Sequence, residues 1–349
     1  MFSEICINNK PCGLMKAFQT AKYGTRTVLT DSSWEYVSLF LKRQSVSGTG
    51  DALFYWKQAQ SFYKASINLP DDAKPLTSYY CILNASKALL RFKGISDADL
   101  NSHGVSSVRS NSEKTNLKNA YTAIKGAGVL NQLSKYYGNQ LDVKHYSIFD
   151  LLYNIPCVHR AFCITYSKQE LFIPIYNPVF VKKDQSKEAW LMFEIKGRYA
   201  NSAALKSLPS KYMHDIGVTD RYIIRKKKRF KWDIHTSIED RKKKLLKYHQ
   251  NVRRDLYYVL GNYKFWYLKK SVKGNEMLSH TPSSVLIFAV FHWLSELVRY
   301  NPKLFNKYMK SKQNWLFHEF INKALDQFVD EISCEITGKD IMNTGYKPG

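Results

Sequence analysis

The stretch from Pro75 to Gly94 is the sequence feature that most limits the possible folds. Pro75 is typical of a first helical turn, no Gly or Pro follows as far as Arg91, and Gly94 supplies a stop. At about 100° per residue, apolar side chains cover most of the predicted helix, and one narrow stripe is polar. The stripe consists of Thr77, Tyr80, Asn84, Lys87 and Arg91. Such a helix belongs inside a bundle, and its stripe is either exposed to solvent or one wall of a site.

Helical periodicity also dominates the rest of the first 155 residues. A Ser/Gly break at 45–50 separates two helices between Ser33 and Ile67. Further helices are predicted from Glu113 to Lys125, from Val129 to Tyr137 and up to Tyr153, and Pro156 ends the last of them. This part of the chain therefore predicts a helical domain.

After Pro156 the pattern changes to the alternation and the aromatic and β-branched enrichment of strands. The predicted strands are at 162–169, 170–183, 189–200 and 222–232, with a hairpin at 255–270 that turns at Gly261-Asn262. Turns are predicted at Asn177-Pro178 and at 184–187. A basic helix, capped by Ser237, interrupts the block as far as Gln250.

Helices return beyond Pro282. They are predicted at 285–300, 303–309 and 313–336, with a second polar stripe formed by His292, Ser295, Glu296 and Arg299. Residues after Gly338 are expected to be frayed. The fold class is therefore α+β, a mainly helical bundle (1–155) with a β-rich basic insertion (156–275), closed by the C-terminal helices (276–349).

Several classes of protein and site are disfavoured by the sequence. The N-terminus lacks the pattern of a secretory signal, and the longest apolar run, Val285 to Leu294, is about half of a membrane span, so we expect a cytoplasmic protein without membrane contact. The six cysteines form no CxxC pair, and no Cys or His set has zinc-finger spacing. The break at 45–50 lacks the GK[ST] ending of a P-loop. We therefore predict no metal and no cofactor.

The net charge of +24 is the strongest global signal, and it is unevenly distributed. From Arg221 to Arg254 there are 14 Lys or Arg against 3 Asp or Glu, a net +11, which falls to +9 when Asp220 and Asp255 are included. Such a concentration attracts polyanions, nucleic acid first.

We call residues 225–254 the basic stretch. Its predicted nucleic-acid-binding residues are Arg225, Lys226, Lys227, Lys228, Arg229, Arg241, Lys242, Lys243, Lys244, Arg253 and Arg254. Tyr248, Tyr257, Tyr258 and Trp266 are nearby candidates for stacking on bases. The alternative is a solvated helix face and a lysine-rich edge strand.

A set of short motifs resembles the YaaC-like bacterial proteins, in order and in spacing, from about Trp34 to Trp315. The motifs are Gln58-Ala59, Phe62-Tyr63, Pro75-Leu76, Tyr79-Tyr80, Asn84, Lys87-Ala88-Leu89, His103-Gly104 and the segment Leu297 to Pro302. That family is poorly characterised, so the resemblance implies no activity.

The tyrosine-rich helix followed by His103-Gly104 is also similar to the helical HEPN superfamily. The resemblance implies a HEPN-like bundle and, in many members, RNA cleavage by an Arg and a His that are four to six residues apart. This sequence departs from that pattern, because Leu304, Phe305 and Asn306 stand where the histidine after Arg299 is required. Arg229 and His235 fit the spacing, but about one such pair is expected by chance.

The residues leave three functional hypotheses. The leading one is non-enzymatic binding of nucleic acid, RNA or DNA, through the basic stretch. The second is a ribonuclease with a non-standard HEPN-like site at Arg91, His103 and Arg299. The third is a protein-interaction subunit of a phage-defence assembly, in which the basic stretch meets an acidic protein partner; a homodimer is also open.

The two polar stripes form a further candidate site. Facing each other across the bundle, and joined by His103, they would make a pocket for a phosphate or a nucleotide. The alternative is that each stripe is the wet side of an amphipathic helix, with Glu296 and Arg299 as an ordinary i,i+3 pair.

Overall fold

A computed structural model describes residues 2–108, 115–272, 274 and 278–345. The chain divides into two compact units. We call residues 1–29, 171–280 and 338–349 the sheet unit, and residues 30–170 and 281–337 the helical unit. Helices and antiparallel strands are both extensive, which confirms the predicted α+β class.

The α-helices of the described residues are, in chain order, α1 (Ser33–Lys42), α2 (Thr49–Ile67), α3 (Lys74–Phe92), α4 (Val129–Tyr136), α5 (Ile148–Tyr153), α6 (His159–Tyr166), α7 (Ser202–Lys206), α8 (Ile238–Arg253), α9 (Ser283–Tyr300), α10 (Pro302–Met309) and α11 (Asn314–Thr337). The strands are β1 (Phe2–Glu4), β2 (Cys6–Ile7), β3 (Lys10–Pro11), β4 (Val28–Leu29), β5 (Val105–Val108), β6 (Tyr121–Ile124), β7 (His145–Ser147), β8 (Phe172–Lys183), β9 (Glu188–Glu194), β10 (Tyr212–His214), β11 (Ile223–Lys226), β12 (Phe230–Lys231), β13 (Leu256–Val259), β14 (Phe265–Lys269) and β15 (Ile341–Met342).

The sheet unit is built on an antiparallel sheet in the order β10-β11-β9-β8-β14-β13, with β1 added to β8 and β12 added to β9. The predicted hairpin is confirmed as β13 and β14, in which Tyr258 pairs with Trp266. Apolar side chains of β8 and β9, such as Phe180, Val181 and Leu191, are buried. Phe180 and Val181 are consecutive and point to opposite faces, and five consecutive residues of β9 are buried, so this part of the sheet is covered on both faces.

Helix α8 lies against this sheet because its sequence provides both a cap and an apolar face. The Ser237 side chain accepts a hydrogen bond from the backbone N–H of Asp240, as the predicted N-cap requires. The side chains of Leu245, Tyr248 and Val252 recur at helical spacing and are buried. The Tyr248 hydroxyl donates to the carbonyl of Lys228, 2.8 Å away, and so ties the helix to the segment before β12.

The helical unit is organised around α3, which contacts α2, α4, α9 and α11. Buried residues cover most of its circumference, from Pro75 and Ser78 to Leu90, as its apolar sequence predicts. The first thirteen residues of α9, Ser283 to Ser295, are all buried as well. The unit also contains a small antiparallel sheet, in the order β5-β6-β7.

Two predicted elements of the helical unit are wrong. The predicted helix 113–125 is instead a single turn at Leu117–Asn119 followed by β6; residues 113 and 114 lie outside the described residues. The side chains of Thr122 and Ile124 are β-branched and buried between the neighbouring strands β5 and β7, which favours strand over helix. The predicted strand 162–169 is largely α6, in which Phe162 packs on Phe149 of α5.

Two predictions for the sheet unit are also corrected. Asn177-Pro178 is not a turn between strands but a bulge within β8, where Asn177 has a φ of 49° and the pairing with β9 shifts register. The segment after Gly338 is not frayed as far as Met342, because β15 pairs in parallel with β4 and both of its side chains are buried. Residues 346–349 lie outside the described residues.

Gly338 starts this last segment and has a φ of 72°, and a Cβ there would lie 2.4 Å from the Thr20 carbonyl oxygen. We expect Gly338→Ala to lower the free energy of unfolding by about 2–4 kcal/mol, from left-handed strain and overpacking together. The matched control is Gly197→Ala, also at positive φ but with no heavy atom within 4 Å, which should cost about 1 kcal/mol. Urea denaturation followed by tryptophan fluorescence measures the free energy of unfolding of both variants. Equal losses of stability would contradict the close packing of Gly338 against Thr20.

Candidate functional site

The basic stretch does not form one uniform surface in the sheet unit. Exposed side chains belong to Lys227, Lys228, Arg229, Lys243 and Arg254, and partly exposed ones to Arg225, Arg241, Lys242 and Lys244. Lys226 and Arg253 are buried. Nine of the eleven predicted contact residues are therefore accessible, at least in part, to a ligand.

The buried Lys226 is held by a carboxylate. Its ammonium lies 3.7 Å from Asp255 Oδ2, and the two side chains are only 1% and 2% exposed. Lys211 Nζ lies 2.7 Å from Asp255 Oδ1, and the Tyr212 hydroxyl donates to Oδ2. Burial lowers the pKa of Lys226 to about 8, against the opposing effect of Asp255. This lysine therefore has a structural partner in the interior.

Arg253 is the second buried cation. Its guanidinium donates to the carbonyl of Leu256, at 3.0 Å, and lies 4.9 Å from the centroid of the Trp266 ring. Arginine commonly combines hydrogen bonds with stacking on aromatic rings in this way. Both contacts fix the end of α8 to the sheet.

Several of the accessible cations already have partners. Arg225 pairs with Asp215, Arg229 with Glu188 and Lys242 with Glu239. Lys227, Lys228, Lys243 and Lys247 have no carboxylate within 4 Å among the residues that the structure describes. These four lysines, which we call the unpaired lysines, offer charge to a ligand without first breaking an ion pair.

The aromatic side chains predicted to stack on bases do not lie on this surface. Tyr248, Tyr257, Tyr258 and Trp266 are all buried, so they cannot stack on a ligand without unfolding of the sheet. Sequence reasoning missed Tyr263 and Phe265, which are exposed at the turn between β13 and β14. They lie in and directly after the loop 260–264 that joins the two strands, where the sequence predicted the turn at Gly261-Asn262.

The two units differ strongly in charge. The sheet unit contains 31 Lys or Arg against 12 Asp or Glu, a net +19, whereas the helical unit contains 22 against 17, a net +5. Most of the excess charge of the chain therefore belongs to the sheet unit.

A second group of polar side chains meets inside the helical unit. The rings of Tyr79 on α3, His103 and His292 on α9 form a triangle with centroids 5.1–5.7 Å apart, all in edge-to-face contact. Glu296 Oε1 lies 3.9 Å from His292 Nε2. We call these four residues the histidine cluster. It contains His292 and Glu296 of the second polar stripe but no residue of the first, most of which is partly exposed.

The loop that carries His103 is fixed against the start of α4. The His103 carbonyl accepts a hydrogen bond from the N–H of Leu130, and the Gly104 carbonyl accepts one from Lys125. A Cβ on Gly128 would lie 2.5 Å from the nitrogen of Gly104, so the two segments touch through their backbones. The imidazole of His103 is thereby directed onto Tyr79 and His292.

The surroundings of the cluster lower the pKa of both imidazoles and so favour their neutral form. Burial lowers the pKa of His103, the charges of Lys87 and Arg299 lower it further, and Glu296 opposes them. Burial likewise lowers the pKa of His292, again against Glu296. The pKa of the buried Tyr79 hydroxyl is raised, so this group remains a hydrogen-bond donor.

Arg91, the remaining candidate from the sequence, has different partners. Its guanidinium pairs with Asp51 and Asp97 and donates to the carbonyl of Ile95. These contacts fasten the end of α3, so Arg91 acts there as a structural residue. Of the three proposed catalytic residues, His103 and Arg299 interact with each other electrostatically.

Comparisons with known proteins give one match. Residues 16–336 match the family model described as YaaC-like Protein. No curated protein and no solved structure matches the chain. Among the described residues no helix combines the length and the apolar character needed to cross a membrane.

The carboxylate of Asp255 leads to a prediction about stability. Burial alone would raise its pKa, but hydrogen bonds from His280 and Lys211 and the charge of Lys226 lower it overall. When folding lowers the pKa of a carboxyl group, its ionised form stabilises the folded state. This contribution is complete at pH values above the pKa of about 3.9 in the unfolded chain, and it is lost as the pH falls through the lower pKa of the folded state. We therefore expect Asp255→Asn to lower the free energy of unfolding by about 3–5 kcal/mol at pH 7, because Lys226 loses its buried partner.

Urea denaturation at pH 7 and at decreasing pH measures this loss, which should shrink below about pH 4 as the wild-type carboxylate is protonated. Asp220→Asn is the control, because Asp220 is exposed and, among the described residues, forms an ion pair with the exposed Arg221 alone. It should change stability by less than about 0.5 kcal/mol. If Asp255→Asn lowers the free energy of unfolding by the same amount at every pH, the ionised carboxylate is not the source of the stability.

Proposed function

Since the chain belongs to the YaaC-like protein family, whose name states no activity, we propose its function from the charge of the sheet unit. The protein binds nucleic acid, without catalysing a reaction on it, through the accessible cations of the basic stretch. The observation that carries the proposal is the net +19 of the sheet unit, because a charge excess on one compact unit is typical of polyanion binding.

The burial pattern narrows the contact set. Lys226 and Arg253 support the sheet from inside, and we omit them from the interface. The unpaired lysines are the strongest candidates for phosphate contacts, since each can release a counterion from nucleic acid without losing a partner. Tyr263 and Phe265 are exposed in the same unit and offer π-faces to unpaired bases.

The test replaces the four unpaired lysines, Lys227, Lys228, Lys243 and Lys247, by glutamine. The affinity should fall by about the same factor for RNA and DNA of any sequence. The plot of log binding constant against log salt concentration should become less steep, by about 1 for each lost phosphate contact and so by up to about 4. Fluorescence anisotropy over a salt series measures both quantities.

The matched control is Lys57, Lys64, Lys135 and Lys323→Gln, which changes the net charge equally but at exposed lysines of the helical unit. It should leave the slope unchanged. The proposal fails if the wild type shows no binding at low salt, or if the control variant loses as much affinity as the test variant. If the wild type shows no binding at low salt, an acidic protein partner that binds through the same lysines becomes the better hypothesis.

A second candidate function is RNA cleavage in a HEPN-like helical bundle. It is favoured by the lowered pKa of His103, to which burial and the charges of Lys87 and Arg299 contribute, since a neutral histidine can act as a general base. Arg91 is omitted, because Asp51 and Asp97 already neutralise it.

This candidate is tested by incubating purified protein with mixed RNA. We expect wild-type cleavage to fall at least about 100-fold in Arg299→Ala, the lower range for loss of a charge-stabilising catalytic group. Arg160→Ala, at an exposed arginine of the same unit, is the control and should cleave as the wild type does. Cleavage that survives the Arg299 substitution would exclude this site.

A further inference from the structure

The large sheet has a second face, opposite to helix α8, which we call the outer face. Trp266 of β14 contacts Arg253 of α8, so Phe265, the residue before it, points to the outer face. Phe180 of β8 also points towards α8, since its ring centroid lies 6.0 Å from that of Tyr248. The outer face is covered along β9, and it is accessible near the start of β14.

The bulge in β8 turns Tyr176 onto the outer face. Tyr176 pairs with Glu194 and Val179 pairs with Met192, so three steps along β8 match two steps along β9. In a regular strand Tyr176 and Phe180 would point to the same side, because four residues separate them. The extra residue reverses this, and Tyr176 is 41% exposed whereas Phe180 is buried. Bulges that re-aim a side chain in this way are common next to functional sites.

Two further aromatic rings lie beside Tyr176. Ile175 of β8 pairs with Trp266 of β14, and Tyr176 and Phe265 are the next residues in this register. Residues opposite each other on antiparallel strands have Cβ atoms about 5 Å apart. Phe265 and Tyr263 are 45% and 46% exposed, and their ring centroids are 5.8 Å apart. We call Tyr176, Tyr263 and Phe265 the aromatic patch.

A lysine borders the aromatic patch. Lys196 Nζ lies 5.1 Å from the centroid of the Tyr176 ring, and half of the lysine side chain is exposed. The same ammonium lies 3.5 Å from Glu194, the acidic residue that pairs with Tyr176. The negative charge nearest to Tyr176 in the sheet register is therefore balanced by a cation, so it does not oppose the approach of a polyanion.

Two arginines of the basic stretch lie on the same outer face. The guanidinium groups of Arg225 and Arg229 lie 5.9 and 5.2 Å from the centroid of the Trp190 ring. Trp190 is four residues from Glu194 in β9, so both point to one side of the sheet. In the strand order, β11 and β14 are three strand spacings apart, or about 14 Å. A few nucleotides can span the distance from these arginines to the aromatic patch.

We propose that the aromatic patch selects single-stranded nucleic acid, whose unpaired bases stack on Tyr176, Tyr263 and Phe265 while its phosphates contact Arg225, Arg229 and the other accessible cations of the sheet unit. A duplex stacks its bases internally, so it cannot offer their faces to these rings. A second copy of the chain is a poor occupant, because two units of net +19 repel each other. The inference rests on the proposed function, since it states which kind of nucleic acid is bound.

The test compares a labelled single strand of about 12 nucleotides with the duplex of the same sequence, each as RNA and as DNA, by fluorescence anisotropy at one salt concentration. We expect the wild type to bind the single strand at least about 10-fold more tightly than the duplex, because only the single strand combines stacking with phosphate contacts.

A double variant tests the assigned rings. Tyr176→Leu with Phe265→Leu keeps apolar side chains but removes two π-faces. It should weaken single-strand binding at least about 10-fold, since each lost stacked base costs about 5-fold or more, and leave duplex binding unchanged. The matched control, Tyr300→Leu with Phe54→Leu, makes the same changes at exposed rings of the helical unit and should bind both probes as the wild type does.

Cross-linking to the wild type gives a readout that does not depend on how the variants fold. A single strand that carries 5-iodouracil is irradiated in the complex, which joins the base to an aromatic side chain stacked on it. We expect the cross-linked residues to be Tyr176, Tyr263 or Phe265.

Failure of this inference can be told apart from failure of the proposed function. If the wild type binds neither single strands nor duplexes at low salt, both fail. The single-strand inference alone is overturned if the duplex binds as tightly as the single strand, if the double leucine variant binds single strands normally, or if the cross-links lie elsewhere. An acidic protein that competes with neither probe would leave these expectations unchanged.

Discussion

The sheet unit depends on one buried carboxylate. Asp255 stands where α8 ends and β13 begins, and it accepts contacts from Lys211, Tyr212, Lys226 and His280. A strand as basic as β11 could not place a lysine in the interior without such a counter-charge, since an isolated buried ammonium would lose its hydration without compensation. The other buried cation of the basic stretch, Arg253, is held instead by backbone carbonyls and the Trp266 ring, so each inward charge has its own internal partner.

The molecule separates two kinds of polar chemistry. In the sheet unit the charged side chains are mostly basic and many are exposed, which suits the binding of a long polyanion with repeated phosphates. In the helical unit the charge is nearly balanced, and the notable groups are few, neutral and buried around Tyr79 and His292.

Long, strongly periodic elements such as α3 and α9 could be predicted from the sequence, because burial on nearly all sides leaves a clear apolar pattern. Short elements could not: α6 and β6 contain aromatic and β-branched residues that are compatible with both helix and strand, and only their neighbours decide. The basic stretch was visible, but charge runs do not reveal that Lys226 and Arg253 turn inward. The sequence stripes suggested that His103 and His292 could share a site, but local spacing did not indicate that Tyr79, from the apolar side of α3, completes their contact.

The pairing of β15 with β4 has a consequence for synthesis on the ribosome. Residues of the sheet unit come from three separate parts of the chain, and Asp340 binds the backbone N–H of Lys16 at 2.8 Å. Strand β1 can pair once β8 is made, but the partners of β4 and Lys16 at 338–342 are translated only after both parts of the helical unit. Strand β4 must therefore wait, unpaired, while more than 300 residues are translated. Domains generally fold as they emerge, so this unit is the later of the two to be completed and the more exposed to capture by chaperones.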